Sequence, residues 1–174
     1  MDQQMTEAGY LGINALGTIV AAIGATPGHA IIPDQWKNDF SIIGNALQAA
    51  GNTGEVGFST GLDAVGDGTQ ALGNSLVIHG LITQKDGLRT IMIGNWLQAL
   101  GGTLTLQAPL VDEERDWATI LSIIGNLLQI AGNSLQAASV ALQRTGKTNA
   151  DQINLAGGWV QALGASLSYL SATT

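Results

Sequence analysis

The 174-residue chain has no cysteine, which removes disulfides, thiolate metal sites and a cysteine nucleophile at once and leaves the compartment open. Charge is scarce as well: 11% of residues are charged, against roughly 25% in ordinary soluble domains. Only six residues are lysine or arginine against thirteen acids, and a net charge of -7 offers no basic footprint, so no nucleic-acid partner is expected. The three prolines fall in two short segments, "TPGHAIIPDQ" and "QAPLVDEERD", and so interrupt little else. The opening "MDQQMTEAGY" lacks the basic region of a secretory signal, so the chain is expected to be made in the cytoplasm and not exported by that route.

What is abundant is apolar residues, at 45%, and glycine, at 24 residues about twice its usual share. That hydrophobic fraction over residues 1–174 suits one domain with a core. The glycines are ordered. Pairs seven residues apart begin at Gly17, Gly44, Gly66, Gly94, Gly125 and Gly157, with partners Gly24, Gly51, Gly73, Gly101, Gly132 and Gly164. Four residues after the first glycine stand Gln48, Gln70, Gln98, Gln129 and Gln161, with Ala21 in the first copy. Two residues after the second glycine a small hydroxyl recurs: Thr26, Thr53, Ser75, Thr103, Ser134 and Ser166.

The copies are 27, 22, 28, 31 and 32 residues apart, too uneven for a strict solenoid and natural for helices joined by variable loops. The pattern predicts an all-α fold, an antiparallel bundle of about six helices. A β-solenoid is the alternative, since glycine and asparagine also mark turns and "GTLTLQ" alternates. The 27-residue run "WATILSIIGNLLQIAGNSLQAASVALQ", free of charge and proline, with Gln129, Gln136 and Gln143 at heptad spacing, favours helix. Loops are expected at "TPGHAIIPDQ", "NTGEVGFSTG", "TQKDG", "QAPLVDEERD" and "RTGKTNADQ". Asp39, Asp86, Asp112 and Asp151 are candidate caps or acidic first turns, and Gly146 a C-terminal stop.

At 100° per residue the paired glycines, Asn45 and Gln48 share one arc of the second copy, while Ile43, Ala46, Leu47 and Ala50 share the other. Neither arc carries charge, although a helix facing water would show lysine and glutamate. Each mid-helix glycine costs about 1 kcal/mol relative to alanine, so twelve cost on the order of 10 kcal/mol, which close backbone approach must offset. Buried amides left unpaired would cost about 1 to 3 kcal/mol each, so Asn45, Asn95, Asn126 and the repeat glutamines must find partners. Together these glycines and amides form a seam that can join helices, copies of the chain, or both.

Two uses of such a face are expected. One is a non-enzymatic structural role, with the seam driving assembly into a homo-oligomer or filament. The rival is a membrane-inserted or pore-forming oligomer, because charge-free stretches of 15 to 27 residues bracket the roughly 20 needed to span a bilayer and small residues suit packing in lipid. If the helices run up and down, one end collects nine acids with Arg115, and the other sets Asp34, Asp39, Asp86 and Asp151 against Lys37, Lys85, Arg89, Arg144 and Lys147.

No catalytic, cofactor-binding or metal-ligating set emerges, and no cofactor is expected. "AVGDGTQA" has dinucleotide-fingerprint spacing but lies inside the third copy instead of between strand and helix. "ALQRTGKT" resembles a phosphate loop only with Ala141 in place of the first glycine, and it ends a helix. His29 and His79 have no spaced metal partners, and "DEERD" lacks the alternating ligands of a calcium loop. Trp96 and Trp159 take the same repeat position on the apolar arc, as packing anchors; Trp36 and Trp117, near helix starts, would be interfacial anchors in a membrane.

The "IIGNxLQAxGN" units at residues 42 to 52, 92 to 102 and 123 to 133 resemble an uncharacterised family of repetitive proteins from Bacillus-type spore formers. The resemblance covers most of the chain and implies such a source and a spore setting, but no activity and no functional residues. The first copy departs from it, with Thr18 and Ala21 replacing the polar pair.

Overall fold

The longest helix shows how local chemistry sets the element bounds. The Asp116 carboxylate accepts the Thr119 N–H at 2.8 Å, an N-cap that also holds its carboxyl below the usual range. After twenty-eight helical residues ending at Arg144, the chain turns away through Thr145 and Gly146, whose φ of +72° suits a residue without a Cβ.

The computed structural model describes residues 3–28, 32–83, 86–111 and 115–174. Its helices are α1 (Gln3–Ala25), α2 (Asp34–Val56), α3 (Gly61–Ile82), α4 (Gly87–Thr105), the five-residue α5 (Gln107–Val111), α6 (Trp117–Arg144) and α7 (Ala150–Ser171). The fold is all-α, with six long helices, and no strand occurs among the described residues.

Two expected loops differ. α2 continues to Val56, because Asn52, a turn former in isolation, is buried and accepts a hydrogen bond from the Asn14 amide, while Gly54 lies against the Tyr10 ring. α5 forms inside the proline-containing "QAPLVDEERD". Of the candidate caps, Asp39 lies in the second turn of α2, Asp151 in the first turn of α7, and Asp86 at the N-cap of α4 without a side-chain capping bond. Asp112 lies outside the described residues, and the real cap is Asp116.

Each long helix packs against two others, in the order α1, α2, α3, α4, α6, α7 and back to α1, so the six close into a ring. Within the α1–α2, α3–α4 and α6–α7 hairpins the glycines set the spacing. A Cβ on Gly17 would sit 2.7 Å from the Gly44 carbonyl, one on Gly73 2.6 Å from that of Gly94, and one on Gly132 2.7 Å from that of Gly157. Backbone touches backbone there, and the pairings run antiparallel: Gly66 with Gly101, Gly73 with Gly94, Gly80 with Gly87. Between hairpins larger side chains intervene, Ile130 against Gly102 and Tyr169 against Gly12.

Closing the ring decides which arc is inside. The buried set holds fifteen polar or charged side chains against eleven apolar ones, seven of them alanine, so the usual rule is inverted. Asn and Gln point to the axis; Ile43, Leu72, Ile93, Leu100, Ile124, Leu127 and Leu163 stand on the outer surface. Trp96 and Trp159 are 51% and 41% exposed, so they do not anchor the interior: the apolar arc that carries them faces outward. Trp36 and Trp117 are exposed too.

Charge is confined to the ends of this outer surface. The charge-free segments are 8–25, 40–54, 68–82, 90–105, 117–143 and 152–171, about 22 to 40 Å long at 1.5 Å per residue. Five of the six repeat hydroxyls are bonded to their own helix. Thr26, Thr53, Ser75, Thr103 and Ser166 each donate to the carbonyl four residues back, at 2.7 to 2.9 Å, and Thr26 also accepts the Trp159 indole N–H of α7 at 3.2 Å.

Candidate functional site

The axis of the ring is built from amides. Gln161 of α7 donates to the Oε1 atoms of Gln48 (2.8 Å) on α2 and Gln98 (3.3 Å) on α4, and accepts from Gln136 of α6 (2.7 Å). Both amide hydrogens and the carbonyl are used, and one residue ties together members of all three hairpins. Below this knot Gln129 donates to the Ser168 hydroxyl at 3.1 Å, and Asn14 to Asn52. Asn74, fully buried, has neither Oδ1 nor Nδ2 paired with a protein group, and the buried Asn133 Oδ1 is likewise unmatched. Such groups in a dry, apolar core would cost about 1 to 3 kcal/mol each, so the axis is a place made for polar company.

Of the seam residues singled out by the repeat, Gly44, Asn45, Gln48, Gly51, Gln70, Gly73, Gly94, Asn95, Gln98, Gly101, Gly125, Gln129, Gly132, Gly157, Gln161 and Gly164 are buried inside the ring. Asn126 is half-buried and lines a cavity. From sequence alone the seam could join helices or copies; in this fold it is spent within the chain, and the surface left to meet something else is the apolar one. His79 is exposed near the end of α3, and His29 lies outside the described residues. Among the described residues no three His, Asp or Glu side chains are spaced to hold a metal ion.

At the end of the axis that holds the start of α1, a cavity of about 200 Å³ opens, lined from every helix. Glu7 and Asn14 come from α1, Glu55 from α2, Asp63, Asp67 and Gln70 from α3, Thr105 from α4, Pro109 from α5, Ser122 and Gln129 from α6, and Ser168 from α7. Among the described residues four carboxylates and no base line it. Burial, reinforced by the charges of Asp67 and Glu7 and opposed by the Asn14 amide, pushes the Glu55 carboxyl up to about 8. Burial also pushes Asp67 up to about 6, although the Ser59 hydroxyl, donating at 2.6 Å, favours its ionised form; Asp63 is raised by burial. These four acids were legible only as charges belonging to one end of an up-and-down bundle. The one local signal is Asp67, which takes the repeat position held by Asn45, Asn95 and Asn126 in other copies.

The raised carboxyls predict a pH effect on stability. With folded pKa values above the unfolded ones, the native state holds extra protons. Stability is therefore greatest below the ordinary carboxylate range and is lost as pH rises through about 6 and then about 8. The thermal midpoint should fall between about pH 5 and pH 9, and Glu55→Gln should flatten the upper part of that fall. Parallel curves for the two proteins would show that Glu55 carries none of it.

A ring of six antiparallel helices that turns its amides inward, its apolar side chains outward and four carboxylates around one end of the axis is a helical barrel with a polar interior. The chain belongs to DUF6944, a family of unknown function, which matches residues 8–169. No curated protein matches it, and no solved structure does.

Proposed function

We propose that the chain is a membrane-embedded, non-enzymatic helical barrel of the pore class, with acyl chains around its apolar exterior and a polar axis closed midway by the Gln161 knot. The observation that carries this is the inversion itself: apolar residues surround all six long helices, and the polar residues are inside. A second copy of the chain would cover one side of such a ring, whereas lipid covers it all round. The charge-free segments, about 22 to 40 Å long, bracket the roughly 30 Å hydrocarbon core of a bilayer. Hydroxyls bonded to their own helix suit that surrounding, as do exposed Trp36 and Trp117 at helix starts. The four carboxylates of the cavity, Glu7, Glu55, Asp63 and Asp67, lie outside the charge-free segments.

Self-association through the same apolar surface is the second reading. What favours it is that, among the described residues, only α1, over Met5–Ala25, and α6 are long and apolar enough to cross a membrane by composition, at mean hydropathies of 1.5 and 1.3. The other four helices carry an apolar stripe on the outer arc alone.

Purified protein mixed with liposomes and floated on a density gradient tests the choice. The membrane reading expects recovery with the vesicles. Leu127→Lys, in the middle of α6 and 49% exposed, should sharply reduce that recovery, since a lysine at mid-bilayer costs about 3 kcal/mol, whereas Gln152→Lys at a helix end should not. A protein that stays in the aqueous fraction, and becomes more soluble on the Leu127→Lys substitution, would overturn it. If that species is also a large particle without detergent, self-assembly takes its place.

A further inference from the structure

The cavity at the acidic end has a feature that an ordinary solvated cluster of acids lacks. The Oε1 atom of Glu55 is buried, borders the cavity and has no hydrogen-bond partner, while the Asp67 carboxylate beside it is held by Ser59. Among the described residues, every charged group that lines the cavity with Glu55 is acidic: Glu7 from α1, Asp63 and Asp67 from α3. Among the described residues α4, α5, α6 and α7 bring uncharged groups to the cavity, among them Thr105, Pro109, Ser122 and Ser168. A concave surface with four carboxylates and low-dielectric walls focuses a negative potential into the space they surround.

We propose that this cavity binds a monovalent cation, an alkali metal ion or a small primary ammonium ion, with Glu55 as the carboxylate that faces it. The spacing of the acids selects the charge class. Among the described residues no three carboxylates converge closely enough to chelate a divalent ion, but a cavity of about 200 Å³ with amide and hydroxyl oxygens from Asn14, Gln70 and Ser59 can hold a hydrated or amine cation. Binding is an exchange: the Glu55 O–H bond breaks, the proton leaves to water, and the cation takes its place beside the carboxylate. No electrons move. Glu55 sits just beyond the charge-free segment of α2, so the site stands on the cavity and not on the membrane reading; either can fail alone.

The test is proton release from the full-length protein in weakly buffered solution, read with a pH indicator as NaCl, KCl or methylammonium chloride is added. Saturable release approaching about one proton per chain at pH 7 is expected, with an apparent affinity that rises about tenfold per pH unit from pH 6 until Glu55 is ionised near pH 8. The three salts distinguish an alkali ion from an ammonium. Glu55→Gln should abolish the release while keeping the helical fold, because an amide fills the same space. Asp63→Asn should keep the release but weaken the affinity several-fold. Release that grows without saturating, or that is the same in Glu55→Gln, would overturn the site. So would saturation by CaCl2 at far lower concentration than by the monovalent salts, which would mean a chelate.

Discussion

Gly94→Leu and Gly125→Leu are each expected to destabilise the protein by about 3 kcal/mol or more, even though leucine is the better helix former by nearly 1 kcal/mol. A Cβ on Gly94 would stand 2.6 Å from the Gly73 carbonyl oxygen and 3.0 Å from the Val77 nitrogen. On Gly125 it would stand 2.8 Å from both the Gly164 oxygen and the Ser168 nitrogen. Those neighbours are backbone and cannot rotate away, so two helices must separate and the dispersion contacts along the hairpin weaken together. Gly9 supplies the control, since it lies on the same type of helix with nothing within 4 Å of a Cβ. Gly9→Ala should be neutral or stabilising by up to about 1 kcal/mol. Chemical denaturation of the three variants decides it: if Gly94→Leu and Gly125→Leu unfold with wild-type midpoints, close backbone approach is not what the glycines are for.

The helical class and the repeat were legible because their signals are local. Glycines seven residues apart, with glutamine between and a hydroxyl beyond, place one face on each helix whatever the helix packs against. Which way that face points was not legible. It depends on α1 meeting α7 and closing the ring, a contact between opposite ends of the sequence. Before closure, Trp96 and Trp159 read as interior anchors by the ordinary rule that apolar residues go inside; the ring put amides there and left both tryptophans on the surface. The end of α2 was hidden in the same way, since only Asn14 and Tyr10, on another helix, explain why Asn52 and Gly54 are helical.

The cavity was the least legible feature, because Glu7, Glu55, Asp63 and Asp67 belong to three helices and share no motif. What sequence did carry was their common end, which follows from counting reversals of direction along the bundle. Burial then separates them in chemistry: Glu55 and Asp67 both hold protons above the ordinary carboxylate range, and only Asp67 has a hydroxyl to stabilise its charge.

Gln161→Leu is expected to be the most destabilising single change on the axis, and its cost should fall on partners rather than on volume. Leucine fits the space approximately, but Gln48 and Gln98, 2% and 3% exposed, would each lose the donor that satisfies an amide oxygen, and Gln136 would lose its acceptor. At about 1 to 3 kcal/mol for each buried group left unpaired, the loss is on the order of 5 kcal/mol. The same logic predicts that the effect is not additive. Once Gln161 is leucine, Gln48→Leu removes a stranded group instead of a bonded one, so the double variant should be more stable than the sum of the singles by about 1 to 3 kcal/mol. A double-mutant cycle from denaturation curves measures this. Additive losses would mean that the two amides find other partners on the axis, and that the knot at Gln161 does not hold the three hairpins together.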